Sequence, residues 1–308
     1  MKALVLGASG FLGTYAGYAL TQRGWDVTGV SRAPLDIFPY SQLIDSLSDV
    51  PRVLRSAQWD VVINCVAMAN HEDCEARPAD ARTINADLPA LWAGIAASAA
   101  AATFVHVSTD AVFDGAQEQP YVEDDVTSAP SVYGKTKRIG EELVVEANPN
   151  SLVFRTNFFG WSRDSSKGIL DFFVSGFEQK KPMTGFTDYV ASSLSMADLF
   201  DLLVEALAKN ATGLYHLTSS TPLSKYNFGK AVGEALEGGA GLLSAGLLSD
   251  NAALGNRGHN LGLSVAKLET LVGHPIPGTL SGIARAVKER HAVMDYFGHT
   301  HREGKTGQ

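Results

Sequence analysis

The sequence predicts an α/β fold: a doubly wound parallel sheet with a smaller C-terminal region. Three observations predict it. Short apolar runs rich in β-branched residues alternate with stretches of helical periodicity through the first half of the chain. The first run ends in a turn with glycines at 7, 10 and 13. A later run carries Ser108-Thr109-Asp110 to its end, 24 residues before Tyr133 in Tyr133-Gly-Lys-Thr-Lys137.

Composition bounds the class. The 308 residues are 45% hydrophobic and 19% charged, which describes an ordinary globular protein. A net charge of −8 excludes a general nucleic-acid binder, because no basic surplus exists to neutralise phosphates. The two cysteines, Cys65 and Cys74, cannot form a disulfide framework and suit a reducing compartment. Only a short apolar run follows Met1-Lys2 before Gly7, and no run approaches the ~18 apolar residues that would cross a bilayer. A cytoplasmic protein with no membrane partner is expected. His71-Glu-Asp-Cys74 has no second cluster of matching spacing, so it is read as an acidic helix start and no metal is expected.

Ala3–Leu6 reads as a buried parallel strand and Thr14–Arg23 as the helix after it. Between them, Gly7, Gly10 and Gly13 allow a tight turn, close approach of backbone to a pyrophosphate and close helix packing. That is a Rossmann-like dinucleotide site, with Ser9, Phe11 and Leu12 in the same turn. Asp26–Ser31 is the second strand. It ends at Ser31-Arg32, where a guanidinium would pair with a 2′-phosphate that an acidic residue would repel. NADP(H) is therefore expected over NAD(H), with NAD(H) left open. Asp36-Ile37 either borders the adenine or turns the chain.

Residues 41–56 carry apolar positions at roughly helical spacing. Trp59–Val66 is a strand whose end brings Asn64, Cys65 and Ala67 to the ligand-binding edge of a parallel sheet. Asn85 opens a long helical stretch to residue 101. Thr103–Ser108 is a strand, 115–130 a loop, and Tyr133–Ala147 a helix with Ile139, Leu143 and Val144 for its buried side. Ser151–Arg155 is the last strand of the expected dinucleotide-binding domain, 1–155. Residues 156–308 are expected to be mainly substrate-binding, with elements near 190–220 returning to the sheet. Thr279–His291 reads as a helix and 295–308 as a polar, frayed end.

Tyr133 and Lys137 stand one helical turn apart on one face. An ammonium beside a phenol favours the phenolate and lowers a pKa that is ordinarily about 10. A Thr109 hydroxyl from the neighbouring strand end would hold a substrate oxygen against the same phenol. This is a proton-transfer device aimed at a carbonyl or an alcohol.

Taken together, the 7–13 turn, Ser108-Thr109-Asp110-x-Val-Phe-Asp-Gly115 and Val132-Tyr133-Gly-Lys-Thr-Lys137 resemble the extended short-chain dehydrogenase/reductases. Within them the chain is most similar to the dTDP-4-dehydrorhamnose reductase branch. Asp60–Asn64, Asn85, Gly140-Glu141 and Arg155-Thr156 are further matching pieces, and the resemblance spans about residues 1–220. It implies NADPH-dependent reduction of a nucleotide-activated 4-keto-deoxysugar. It implies Thr109, Tyr133 and Lys137 as the catalytic set. Gly7, Ser9, Gly10, Phe11, Leu12, Gly13, Ser31, Arg32, Asn64, Cys65, Ala67, Asn85, Ser108, Tyr133 and Lys137 would line the cofactor. Asp110, Asn157 and Phe158 would face the sugar nucleotide, and a homodimer is allowed. Two departures concern the substrate: Ala111 follows Ser-Thr-Asp where the branch usually has Tyr, and Asn157-Phe158 replaces a Ser-Trp pair. The sugar-nucleotide 4,6-dehydratases carry Thr-Asp-Glu, and Ala111 lacks that Glu. An epimerase, or a non-catalytic dinucleotide-binding regulatory subunit, stays as the alternative.

Overall fold

A computed structural model describes residues 1–100, 102–236, 240–250 and 258–303, the side chains of 100, 240 and 299–303 excepted. The strands that build the main sheet are β1 (Lys2–Leu6), β2 (Asp26–Ser31), β3 (Tyr40–Leu43), β4 (Val61–Asn64), β5 (Thr103–Thr109) and β6 (Leu152–Phe159). Among the described residues the sheet has eight strands, all paired in parallel. It runs Gly213–His216, β6, β5, β4, β1, β2, β3, with Ser193–Ser195 also on β6. The strand order reverses between β1 and β4, and that reversal opens a crevice at the C-terminal strand ends.

Two apolar layers explain why the sheet is buried on both sides. Leu4, Leu6, Val62, Phe104 and Val153 face one way, onto Trp92, Val53 and Val144 of the covering helices. Ala3, Val5, Ile63, Val105 and Phe154 face the other, onto Tyr15, Leu20 and Phe200. Strands apolar on alternate residues to both faces are what a covered parallel sheet requires.

Several expectations are corrected. Residues 40–43 form an edge strand on β2, and only Val50–Leu54 of the expected 41–56 helix is α-helical. The helix Leu88–Ala100 is preceded by a π-helical turn, Thr83–Asp87, so Asn85 precedes the regular helix. Strand β6 runs on past Arg155 to Phe159, with Asn157–Phe159 paired to Ser193–Ser195. The last helix is Thr279–Glu303. The stretch taken as a frayed end buries Phe297, while Val293 is buried just before it and Tyr296 bonds to the Ile37 carbonyl oxygen. Residues 304–308 lie outside the described residues.

The Val132–Ala147 helix starts at Ser131, whose side chain accepts from Gly134 N at 3.1 Å, a cap worth about 1 kcal/mol. Its buried stripe is Lys137, Gly140, Glu141 and Val144 rather than Ile139 and Leu143, which are half-buried. Two ionisable residues on the inward face of a helix need partners there, and both have them.

Candidate active site

Strand register sets the site. Leu6 pairs with Asn64 and Asn64 with His106, so β1 and β4 end at one level; β5 runs three residues further, to Thr109, which pairs with Thr156 of β6. Beyond β1 the chain turns at Gly7, whose φ of 76° is a left-handed value that glycine adopts without strain. A Cβ at Gly13 would sit 2.2 Å from the Gly7 carbonyl oxygen, so the helix Phe11–Gln22 packs against the turn only because residue 13 has no side chain.

A cavity of about 430 Å³ lies over this turn and β2, lined by Gly7, Ser9, Gly10, Ser31 and Arg32. A second, of about 370 Å³, adjoins it through Gly10, Cys65 and Ala67. The second is lined by Phe11, Leu12, Ser108, Thr109, Tyr133 and Lys137, and also by Asp110, Asn157 and Phe158. A smaller pocket of about 140 Å³ continues past Thr109 and Tyr133 toward His71 and Tyr189.

At the cavity wall, Thr109 donates to Asp110 Oδ1 at 3.1 Å and its hydroxyl meets the Tyr133 phenol. Asn157 donates to Asp110 Oδ2 at 2.8 Å and accepts from Ser193 at 2.8 Å. Burial pushes the Asp110 carboxyl up to about 6, against the hydrogen bonds from Asn157 and Thr109. Lys137 is 1% exposed; its Nζ donates to the Val107 carbonyl oxygen at 2.6 Å and lies 3.4 Å from His106 Nε2. Burial pushes Lys137 down to about 8, against the charge of Glu141. The Tyr133 ring packs on His71, centroids 4.9 Å apart.

The expected acidification of Tyr133 by Lys137 is not found. Burial pushes the phenol up to about 12, and the charges of Asp110 and Cys74 add to the rise while the Thr109 hydrogen bond opposes it. The ammonium is turned to the strand carbonyl instead of the phenol.

Two expected cofactor residues are also corrected. Asn64 is 1% exposed, accepts from Val66 N at 3.1 Å and donates to His106 Nδ1 at 3.1 Å. Asn85 is fully buried; it accepts from Met68 N and donates to the Met68 carbonyl oxygen and to Thr136. Both side chains are consumed in holding the segment after β4 and the Tyr133 helix, and neither lines the cavities. Gly13 contributes by packing, as above. Ser108 lines the cavity, but its hydroxyl is bonded to Glu141. Asp36 pairs with Arg163 at 2.9 Å and Ile37 is buried, so the pair turns the chain. Cys74 is buried and its thiol donates to the Met68 carbonyl oxygen.

Sequence reasoning gave Thr156 no place in the site, yet it lines the same cavity, and its buried hydroxyl has no partner among the described residues. It also missed Ser193, which reaches Asn157 only because two distant strands meet on β6. Parallel pairing across 36 residues leaves no local signal in the sequence.

This arrangement has known counterparts. The family described as the RmlD substrate binding domain matches residues 1–291. The chain belongs to that family. A probable low-salt glycan biosynthesis reductase of Haloferax volcanii is 28% identical over 279 residues, 89% of this chain and 93% of the relative. A dTDP-4-dehydrorhamnose reductase of Burkholderia thailandensis is 29% identical over 241 residues, 75% and 77%. Among solved structures, a Bacillus anthracis dTDP-4-dehydrorhamnose reductase in complex with NADP superposes with a TM-score of 0.83 at 21% identity. That match covers 94% of this chain and 99% of the other. The fold is the Rossmann-like one of that enzyme, and the resemblance to extended short-chain dehydrogenase/reductases is met. No described helix is long and apolar enough to cross a membrane.

Proposed function

We propose that this member of the RmlD family is an NADPH-dependent reductase of the keto group of a nucleotide-activated 4-keto-deoxysugar. The observation that carries the reading is the meeting of Thr109, Tyr133 and Lys137 in a cavity that adjoins the Gly7–Gly13 turn. The similarity to the Burkholderia thailandensis dTDP-4-dehydrorhamnose reductase supports the substrate class.

The residues present fit a dinucleotide. The turn leaves no room for a Cβ at Gly13, and Thr156, in the cavity's lining, has a buried hydroxyl with no hydrogen-bond partner among the described residues. Gly10, Phe11 and Leu12 would hold the pyrophosphate at the helix N-terminus. Arg32, exposed at the end of β2, would pair with the adenosine 2′-phosphate. Cys65 and Ala67 would wall the cavity, and Lys137 would hold the nicotinamide ribose. When bound, the nicotinamide supplies the hydride.

The chain itself holds the proton. A phenol pushed up to about 12 is protonated at neutral pH, as a donor to the substrate oxygen must be. Thr109, in contact with the same phenol, would hold that oxygen against it. Asp110 and Asn157 would accept and donate to sugar hydroxyls, and the half-buried Phe158 would pack on the ring face.

The test is a panel of 4-keto-deoxysugar nucleotides with NADPH absorbance followed over time. Consumption of NADPH with one of them, lost in Tyr133→Phe, is the expected result. Isomerisation of the sugar without net NADPH loss would mark an epimerase. Tight dinucleotide binding with no turnover on any member would leave the binding-subunit reading.

A further inference from the structure

His106 lies outside every role assigned above, yet it is fully buried and its two ring nitrogens contact two different site elements. It is the register partner of Asn64 across β4 and β5, so their side chains meet by strand pairing and not by chance of rotamer. The Val66 N–H can only donate, and it donates to Asn64 Oδ1 at 3.1 Å. The Asn64 amide is thereby fixed with its NH2 toward His106 Nδ1, 3.1 Å away. A nitrogen facing a donor must be the acceptor, so the neutral ring carries its proton on Nε2. That Nε2–H points at Lys137 Nζ, 3.4 Å away.

An ammonium has three donors and no acceptor. Here one side of it meets another donor, and the Val107 carbonyl oxygen is the acceptor the described residues provide, at 2.6 Å. Other polar and titratable groups stand on the elements packed against it. Tyr133 and Glu141 flank it on its own helix. His106, Ser108 and Asp110 belong to β5 and its end, Cys65 follows β4, and Arg155 on β6 holds Glu141. The negative charge of Glu141 favours the ammonium, while burial opposes it.

We propose that His106 is a positioning residue for Lys137: fixed by Asn64 as the Nε2–H tautomer, it directs a donor at Nζ and poises the side chain between ammonium and amine. In the amine form Nζ accepts from His106; in the ammonium form it donates to Val107 and to the cavity. The proposal deepens the reductase reading, in which Lys137 would hold the cofactor, and gives that lysine a charge that changes near neutrality.

The experiment is NMR on the full chain without cofactor or substrate, so its outcome is independent of whether the protein is a reductase. Long-range 15N spectra of histidine-labelled protein, with His106 assigned by its loss in His106→Gln, should show the neutral Nε2–H tautomer between about pH 6 and 9. An Nδ1–H pattern, or an imidazolium titrating in that range, would overturn the proposal. In lysine-labelled protein, Lys137 (assigned through Lys137→Met) should titrate below the other lysines. In His106→Gln, whose amide oxygen can accept from Nζ, it should rise by about one pH unit, a tenfold change in proton affinity. No movement of the Lys137 midpoint in a folded His106→Gln protein would refute the role.

Discussion

Arg155 grips Glu141 at two points beneath the Tyr133 helix, Nη2 to Oε2 at 2.8 Å and Nε to Oε1 at 3.0 Å, with both side chains under a tenth exposed. The same carboxylate accepts from Ser108, so one ion pair ties the helix to both β5 and β6. Removing one partner of such a pair strands the other charge in a dry interior. Glu141→Gln should lower the unfolding free energy by about 3 kcal/mol. Replacing both partners with apolar residues of similar volume should cost less than either single change. Urea denaturation of the three variants checks the ordering.

Tyr133→Phe removes the proposed proton donor and leaves the cavity shape intact. Turnover should fall by about 10²–10⁴-fold while dinucleotide affinity, read by fluorescence titration, stays within about twofold. A parallel fall in cofactor affinity would mean that the phenol holds the ligand and does no proton transfer.

Arg32→Ala tests the 2′-phosphate assignment. A charge-assisted hydrogen bond contributes about 1.5–3 kcal/mol, so NADPH affinity should drop by roughly tenfold to a hundredfold. NADH affinity should hardly change. Equal affinities for the two in the parent protein would remove the assignment.

The Asp110 carboxyl couples stability to pH. Its pKa is raised from 3.8 to about 6, so the folded chain holds this proton more tightly than the unfolded one. Its contribution to stability is complete below about pH 4 and is lost as the pH rises through 6, by about 3 kcal/mol in all. Asp110→Asn lacks that dependence. Relative to the parent, the variant should therefore gain stability between pH 4 and pH 7, measured as the difference in urea midpoints. A constant difference would show that Asp110 is ionised throughout.

Gly134→Ala would place a methyl carbon 2.0 Å from the Ala111 carbonyl oxygen, at the start of the helix that carries Tyr133. The helix must back away from the turn after β5, and with it the phenol from Thr109. A shift of about 1 Å in a catalytic group costs on the order of a hundredfold in rate. The drop should appear in kcat, with the fold still cooperative by thermal melting.

The sheet and the glycine turn were legible because each is local: a β-branched run, then three glycines at fixed spacing, then a helix. That Tyr133 and Lys137 share one helix was legible for the same reason. Asn64 and Asn85 misled because an amide at a strand end looks alike whether it meets a ligand or holds a backbone segment. Only its partners, Val66, His106, Met68 and Thr136, decide the matter, and they come from elsewhere in the chain. The inward face of the Tyr133 helix was misjudged by polarity. Lys137 and Glu141 are buried because Val107 and Arg155 wait for them on other strands. The edge strand at Tyr40–Leu43 is mostly exposed, so its apolar spacing carried no burial signal to read.

Strand β6 takes Gly213–His216 as neighbour along its first half and Ser193–Ser195 along its second, without interruption. Arg155 and Asn157 are thus two residues apart on one rod, one clamping the Tyr133 helix and the other forming the pocket wall. A parallel strand cannot slip by one residue without inverting every side chain it bears. Redesign toward another ligand in this scaffold is accordingly confined to exchanging side chains at 157 and 158 or rebuilding the loops around them. Sliding the wall bodily would drag the clamp out of register at the same stroke.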